Sequence, residues 1–176
     1  IENGFYYDID FGKEKIDESI LEKLEKMMKD LINKNLKFKK EIVTYSQAKK
    51  IFKNQPYKLE LIEELKKQKK PISIYKTLDK NKEIFVDLCA GPHIFSTKSI
   101  NKDAFKLEKL AGAYWKGNEK NPMLTRIYGL AFNTKKELET YLNLIEEAKK
   151  RDHRVLGPQL DLFSFHEEFG PGLVYW

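Results

Sequence analysis

Apolar and polar residues follow two periods along this chain, and each period predicts one type of secondary structure. Alternation, or a short run of β-branched and aromatic residues, predicts strands at residues 3–11, 36–44, 72–78, 83–88, 105–110 and 124–132. Apolar residues spaced three and four apart predict helices at residues 17–34, 46–52, 59–68 and 134–153. Asp17 and Ser46 are expected to cap the first two helices, because their side chains can accept a hydrogen bond from the first turn. Residues 55–58 are left as the connection between the second and third helices.

Most of the predicted strands follow one another at hairpin-like spacing, which favours antiparallel pairing. We therefore expect an α+β fold, with a largely antiparallel sheet and packed helices, followed by a long linker helix. A capping box at residues 134–137 (TKKE) starts that helix, and Gly157 with Pro158 is expected to end it and begin a connector. Three parts are predicted: a domain at residues 1–133, the linker helix and connector at 134–158, and the start of a further domain at 159–176.

Composition restricts the classes to which the chain can belong. Its 176 residues, 41% of them apolar, can bury a core, and no apolar run approaches the length of a membrane span. A single cysteine excludes an internal disulfide framework and fits a reducing compartment. The net charge of +6 suits a phosphate-rich partner, although 27 acidic residues dilute the 33 basic ones. The chain starts at Ile1 and stops in an apolar run, so both ends look cut from a larger protein.

The clearest chemical pattern is the run DLCAGPH at residues 87–93. It places Asp87 two positions before Cys89, the only cysteine, and His93 four positions after that cysteine, across a Gly-Pro corner. The preceding segment is a predicted strand, so the turn at its end can direct the thiol and the imidazole into one pocket. Two simpler interpretations remain open, because a single cysteine is usually a small apolar residue and a single histidine is usually structural.

A metal site is a weaker interpretation of the same pattern. Zinc takes three or four protein ligands, and the Cys89–His93 spacing is not one of the common structural zinc patterns. The other histidines, His153 and His166, lie far downstream in different predicted elements. Two ligands do not make a zinc site, and the sequence therefore leaves zinc at this turn undecided.

Several separated motifs occur in one order along the whole chain. They are GFYYD at 4–8, DLCAGPH at 87–93, AGAYWKG at 111–117, RIYG at 126–129, EAKKRDHR at 147–154, LDLF at 160–163 and HEEFGPGLVYW at 166–176. In this order they resemble the threonyl-tRNA synthetase family. The resemblance implies that residues 1–133 are an editing domain truncated at its N-terminal side. It also implies that residues 134–158 link this domain to the beginning of a class II aminoacylation domain at 159–176.

The resemblance also implies an activity. In this family the editing domain hydrolyses seryl-tRNA(Thr), which is threonine tRNA mischarged with serine, and the catalytic domain charges tRNA(Thr) with threonine using ATP. ATP, magnesium and a zinc ion are implied for that catalytic domain, which this chain lacks, and no cofactor is assigned to the chain itself. A cytoplasmic, homodimeric parent enzyme without a membrane segment is implied as well. Editing has a physical reason, since one methyl group provides only about 1–3 kcal/mol of discrimination between threonine and serine.

Four residues match the editing motifs of the family. Cys89 and His93 match a Cys-x-x-x-His element, Asp87 matches an acid in the same motif, and Lys58 matches the lysine of a Ser/Pro-Tyr-Lys motif. The family's upstream His-x-x-x-His element is not in this chain. The matching residues imply that a water attacks the seryl ester, positioned by the imidazole of His93 or by the terminal ribose hydroxyl, while Lys58 holds the developing negative charge.

The sequence leaves more than one role open for Asp87 and for Cys89. Asp87 can orient a histidine or bind the ammonium group of the substrate, or it can simply cap the turn. Cys89 is expected to form a wall or a polar contact of the pocket, because no feature of the sequence supports a covalent acyl-cysteine.

Two other functions compete with the editing assignment. One is a free-standing aminoacyl-tRNA deacylase, which the connector and residues 161–176 argue against. The other is a tRNA-binding scaffold with an inactive pocket. Whether Lys58, Asp87, Cys89 and His93 converge in the fold discriminates the scaffold from the enzyme.

Overall fold

The computed structural model describes residues 3–14, 16–165 and 174–175. The helices in these residues are α1 (Ser19–Asn33), α2 (Tyr45–Ile51), α3 (Pro56–Lys67), α4 (Lys135–Lys150) and α5 (His153–Gln159). The strands are β1 (Gly4–Ile9), β2 (Lys37–Val43), β3 (Ile72–Asp79), β4 (Lys82–Leu88), β5 (Phe105–Tyr114), β6 (Met123–Ala131), β7 (Ser164–Phe165) and β8 (Val174–Tyr175). All the strand pairs formed by these residues are antiparallel, which confirms the predicted α+β class.

The chain divides into two compact units, one formed by Phe11–Lys102 and the other by Ile1–Asp10 together with Asp103–Trp176. The first unit contains a three-stranded sheet in the order β2-β3-β4, and the second contains a three-stranded sheet in the order β1-β6-β5. The domain boundaries expected at residues 133 and 158 remain predictions.

The core of the Phe11–Lys102 unit lies between its sheet and the helices α2 and α3. Five residues from these elements are buried together, namely Ala48, Phe52, Ile62, Ile72 and Ile74. Ile72 and Ile74 are two positions apart on β3, so their side chains project from the same face of the sheet toward the helices. The opposite face of β3, which carries Ser73, Tyr75 and Thr77, is therefore available for other contacts.

A buried threonine joins helix α1 to the segment that follows it. The hydroxyl of Thr97 accepts a hydrogen bond from the backbone N–H of Leu36 at 2.9 Å and donates to the carbonyl of Ile32, 3.2 Å away. It thereby satisfies a carbonyl in the last turn of α1 and the N–H of the residue before β2, in a place where Thr97 is only 6% exposed.

Replacement of Thr97 by valine should destabilise the protein by about 1–3 kcal/mol, because it leaves the buried N–H of Leu36 without its partner while keeping a β-branched side chain. Urea unfolding followed by circular dichroism measures this change. Thr140→Val is the matched control, since Thr140 is an exposed residue of α4 and should change stability by less than about 0.5 kcal/mol. Equal midpoints for both variants would show that the Thr97 hydroxyl is not needed.

In the second unit, a charged pair joins two neighbouring strands. Arg126 of β6 lies opposite Asp8 of β1 and donates two hydrogen bonds to its carboxylate, at 2.6 and 2.8 Å. Hydrogen bonding to the Asp8 carboxylate raises the pKa of the Arg126 guanidinium further, so the guanidinium stays charged. Arg126 therefore contributes to strand pairing in this sheet.

Helix α4 begins as predicted, with Thr134 and Glu137 forming a reciprocal capping box. Its role as a linker to a further domain remains a prediction. The described helices include none that is long and apolar enough to cross a membrane.

Three details of the predicted helices are wrong. Helix α2 is capped by Thr44, whose hydroxyl and Gln47 form a capping box, and Ser46 lies inside the first turn. Helix α3 begins at Pro56 and therefore includes Lys58. Proline suits the first turn, because the N–H groups there have no acceptor within the helix and proline lacks an N–H. Gly157 does not end a helix and Pro158 does not begin a connector.

The structure instead ends α4 at Lys150 and starts α5 two residues later. Asp152 caps α5 by accepting a hydrogen bond from the N–H of Arg154, and hydrogen bonding from Arg154 lowers the pKa of the Asp152 carboxyl to about 2. Gly157 lies within α5, where a Cβ would overlap the ring of Phe163. Close packing of an aromatic ring, rather than a helix end, therefore explains this glycine.

Candidate functional site

The candidate site lies where β4 leaves the sheet of the Phe11–Lys102 unit. Asp87 is paired with Tyr75 of β3, and the ladder continues one step further because the N–H of Cys89 donates to the carbonyl of Ser73 at 3.2 Å. Side chains alternate along a strand, so Asp87 and Cys89 project from the same face, about 7 Å apart along the chain. Tyr75 is also paired with Lys40 of β2, which places Lys40, Tyr75 and Asp87 in one row across the sheet.

Lys58 and Asp87 form an ion pair between helix α3 and strand β4. The ammonium group of Lys58 donates to the Oδ1 atom of Asp87, and the two side chains are only 22% and 21% exposed. The same carboxylate oxygen accepts from the N–H of Leu88 at 2.6 Å, and the Lys58 ammonium lies 5.5 Å from the centre of the Phe52 ring. The amine is therefore held between a carboxylate and an aromatic face.

Cys89 and His93 form a second pair immediately after Asp87. The Sγ atom of Cys89 lies 3.2 Å from Nε2 of His93 and accepts a hydrogen bond of 3.3 Å from the N–H of Gly91. The backbone of this turn is anchored at two points. Ser73 donates its hydroxyl to the carbonyl of Cys89 at 2.7 Å, and Lys40 donates to the carbonyl of Ala90 at 2.8 Å.

The corner between the thiol and the imidazole requires glycine at position 91. Gly91 has a φ of +77°, in the left-handed region that residues with a Cβ rarely adopt. A Cβ at this position would also overlap the ring of Tyr75. The turn therefore folds back closely over Tyr75, and this fold brings His93 above the sheet.

His93 packs against two aromatic rings of the sheet. Its imidazole stacks on Tyr75 with the ring centres 3.8 Å apart and an interplanar angle of 14°, and it meets the edge of Phe38 at 5.4 Å and 76°. Sequence reasoning missed both rings. The alternation of β2 and β3 shows that they can share a face, but the register between the strands does not follow from the pattern alone.

The structure thus brings the four sequence-predicted residues to one end of β4 as two neighbouring pairs. Lys58 contacts Asp87, and His93 contacts Cys89. A cavity of about 260 Å³ lies beside Cys89, lined among others by Ser73, Leu88 and residues of α3. Of the four predicted residues, Cys89 is the one that lines this cavity. A carboxylate, an amine, a thiol and an imidazole are groups able to position water and to stabilise negative charge.

The donor set does not form a complete metal site. In residues 3–14, 16–165 and 174–175 no group of three or more His, Cys, Asp and Glu side chains can hold a metal ion. Cys89 and His93 offer two donors, and zinc takes three or four. His153 belongs to α5 in the other unit, and His166 is outside the described residues.

Comparison with known proteins shows what this chain is similar to. Residues 72–128 match the sequence family described as the second additional domain of threonyl and alanyl tRNA synthetases. The threonine–tRNA ligase of Borreliella burgdorferi is 52% identical over 176 residues, which is 100% of this chain and 29% of that protein. The chain is similar to threonyl-tRNA synthetases over its whole length. The threonine–tRNA ligase of Thermotoga neapolitana is also similar, at 50% identity over 100% of this chain and 26% of that protein.

The similarity to threonyl-tRNA synthetases extends over the whole of this chain but over only part of each synthetase. The chain spans less than a third of the length of the ligases that it matches. The segment that matches the second additional domain contains Asp87, Cys89 and His93, whereas Lys58 lies before it. The similarity therefore extends over the whole chain, whereas the roles of the four site residues remain predictions.

Proposed function

We propose that this chain is the editing segment of a threonyl-tRNA synthetase and that it hydrolyses seryl-tRNA(Thr), while the rest of the longer protein charges tRNA(Thr) with threonine using ATP. The observation that carries the proposal is the meeting of Lys58 with Asp87 and of His93 with Cys89 at one strand end, inside a unit that includes most of the family-matched segment. The proposal includes a homodimeric parent enzyme in the cytoplasm.

The charge of the unit that contains the site supports a tRNA partner. Residues 11–102 contain 22 lysines, no arginine and 13 carboxylates, a net charge of +9, whereas the other residues contain 11 basic and 14 acidic side chains, a net charge of −3. The positive charge of the chain is thus concentrated in the unit of the candidate site. Such a distribution attracts the phosphate backbone of a nucleic acid.

In the proposed reaction, water attacks the carbonyl carbon of the seryl ester. The imidazole of His93, or the free hydroxyl of the terminal ribose, positions the water and accepts its proton. The ammonium group of Lys58 stabilises the negative charge that develops on the carbonyl oxygen, and Asp87 holds this ammonium in place. The bond between the carbonyl carbon and the ribose oxygen then breaks, a proton passes to that oxygen, and serine and free tRNA are released.

Asp87 thereby receives a role that the sequence did not indicate. The sequence suggested that it orients a histidine or binds the substrate, but in the structure its carboxylate is engaged by Lys58. Cys89 forms a wall of the site, and its contact with Nε2 directs the imidazole of His93. Both residues are proposed to act by orienting the groups that touch the reacting atoms.

The experiment that tests this function compares two substrates. The whole polypeptide that contains this chain should hydrolyse seryl-tRNA(Thr) about 10- to 200-fold faster than threonyl-tRNA(Thr), because a pocket that fits serine lacks room for one more methyl group. Single-turnover release of labelled amino acid from each ester measures the ratio. The same tRNA charged with either amino acid is the matched pair of substrates.

The result also discriminates the alternative functions. Equal rates for both esters would reject selective editing and leave a general deacylase. Binding of tRNA without hydrolysis of either ester would favour the scaffold. Hydrolysis by the segment at the rate of the whole polypeptide would favour a free-standing deacylase.

A further inference from the structure

We propose that Tyr75 is a positioning residue of the deacylation site, where its ring holds the imidazole of His93 in the orientation that serves the attacking water. This inference rests on the proposed function, because it assigns a task to Tyr75 within that reaction. Neither the resemblance to threonyl-tRNA synthetases nor the residues of the DLCAGPH turn assign a task to this tyrosine.

The location of Tyr75 suits a fixed platform. It belongs to β3, the central strand of its sheet, where backbone hydrogen bonds to β2 and β4 hold it from both sides. Its side chain is 9% exposed, although it projects from the face opposite the helix-covered core. The turn after β4 covers it. A buried ring on a central strand has little freedom to move, so a group stacked on it becomes fixed as well.

The imidazole has no comparable support from its own segment. His93 is exposed and lies in a turn without regular secondary structure. The imidazole ring is nearly parallel to the ring of Tyr75, and the two ring centres are 3.8 Å apart. The Phe38 ring meets the imidazole edge-on, with the ring centres 5.4 Å apart. The stack leaves the imidazole free to rotate only within its own plane, and the 3.2 Å contact between Nε2 and the Cys89 thiol then sets that rotation.

Tyr75 also shapes the backbone that carries the histidine. The close approach of Gly91 to the Tyr75 ring sets the path of the turn, and Lys40, which holds the carbonyl of Ala90, lies 5.9 Å from the centre of the same ring. One aromatic ring therefore contacts both the corner of the turn and the imidazole beyond it. A displacement of about 1 Å in a catalytic group can lower a rate by roughly 10²-fold, so such support has a measurable effect.

The test is a double-mutant cycle measured in the whole polypeptide by single-turnover hydrolysis of seryl-tRNA(Thr). Tyr75→Leu should lower the maximal rate constant about 10- to 100-fold, with less than about a threefold change in the half-saturating concentration. Tyr75→Phe keeps the ring and should stay within about threefold of the unchanged protein. In a His93→Ala background, Tyr75→Leu should have almost no further effect, because the imidazole that it positions is absent.

The matched control is Phe85→Leu, which removes an aromatic ring from β4, two residues before Asp87. It should leave the rate constant within about threefold, and thermal unfolding of every variant reports folding. If Tyr75→Leu lowers the rate constant by the same factor with and without His93, the inference is overturned. Full activity of Tyr75→Leu would overturn it as well. If the unchanged protein hydrolyses neither ester, the proposed function itself fails, and the inference fails with it. Activity in the unchanged protein with no effect of Tyr75→Leu rejects the inference alone.

Discussion

Replacing Lys58 with alanine is expected to lower the rate constant for hydrolysis of seryl-tRNA(Thr) by about 10²- to 10³-fold. The ammonium of Lys58 is half-buried and held by Asp87, so its direction is set before the substrate arrives. A donor oriented in advance stabilises the oxyanion of the transition state without the cost of reorganisation, and loss of one such donor typically costs about 2.7–4 kcal/mol. Single-turnover deacylation by the whole polypeptide measures the effect.

The control for this variant is another lysine of the same unit. Lys53 lies between α2 and α3 and is exposed, so Lys53→Ala removes the same charge from the same stretch of chain. It should reduce the rate by less than about threefold at saturating substrate. If both variants lose activity equally, the effect of Lys58 reflects attraction of the tRNA by net charge. If neither variant loses activity, Lys58 does not stabilise the transition state of the deacylation.

The turn at residues 87–93 could be anticipated from sequence because its chemistry is local. Asp87, Cys89 and His93 lie within seven consecutive residues, and a strand followed by a Gly-Pro corner limits where their side chains can point. The contact between Cys89 and His93 follows from that short separation. The resemblance to threonyl-tRNA synthetases then supplied a chemical meaning that the local pattern left open.

Contacts between distant segments could not be anticipated in the same way. Lys58 and Asp87 are 29 residues apart, and their meeting depends on how α3 packs beside β4. Only the resemblance singled out Lys58, since lysines are mostly exposed and the sequence pattern left this residue in the connection between two predicted helices. Tyr75 had no signal at all, because its partners depend on the register of three strands, and a shift of one residue would reverse the faces.

The second large effect is expected from replacing Phe52, whose buried ring lies near the candidate site. Phe52, the residue at the end of α2, is 0% exposed and packs with Ala48, Ile62, Ile72 and Ile74. Phe52→Ala should lower the free energy of unfolding by about 3–5 kcal/mol, through lost burial and the cavity that remains. This is a large fraction of the roughly 5–15 kcal/mol that stabilises a typical domain.

Phe52→Ala should also affect the site, since the Lys58 ammonium lies 5.5 Å from the centre of the ring that is removed. Urea unfolding measures the stability, and deacylation at a temperature where the variant remains folded measures the site separately. The matched control is Phe95→Ala, because Phe95 is 75% exposed and its replacement should change stability by less than about 0.5 kcal/mol. A loss below 1 kcal/mol for Phe52→Ala would contradict the core described above. A large loss of stability with an unchanged deacylation rate would show that the Phe52 ring supports the fold and not the position of the amine.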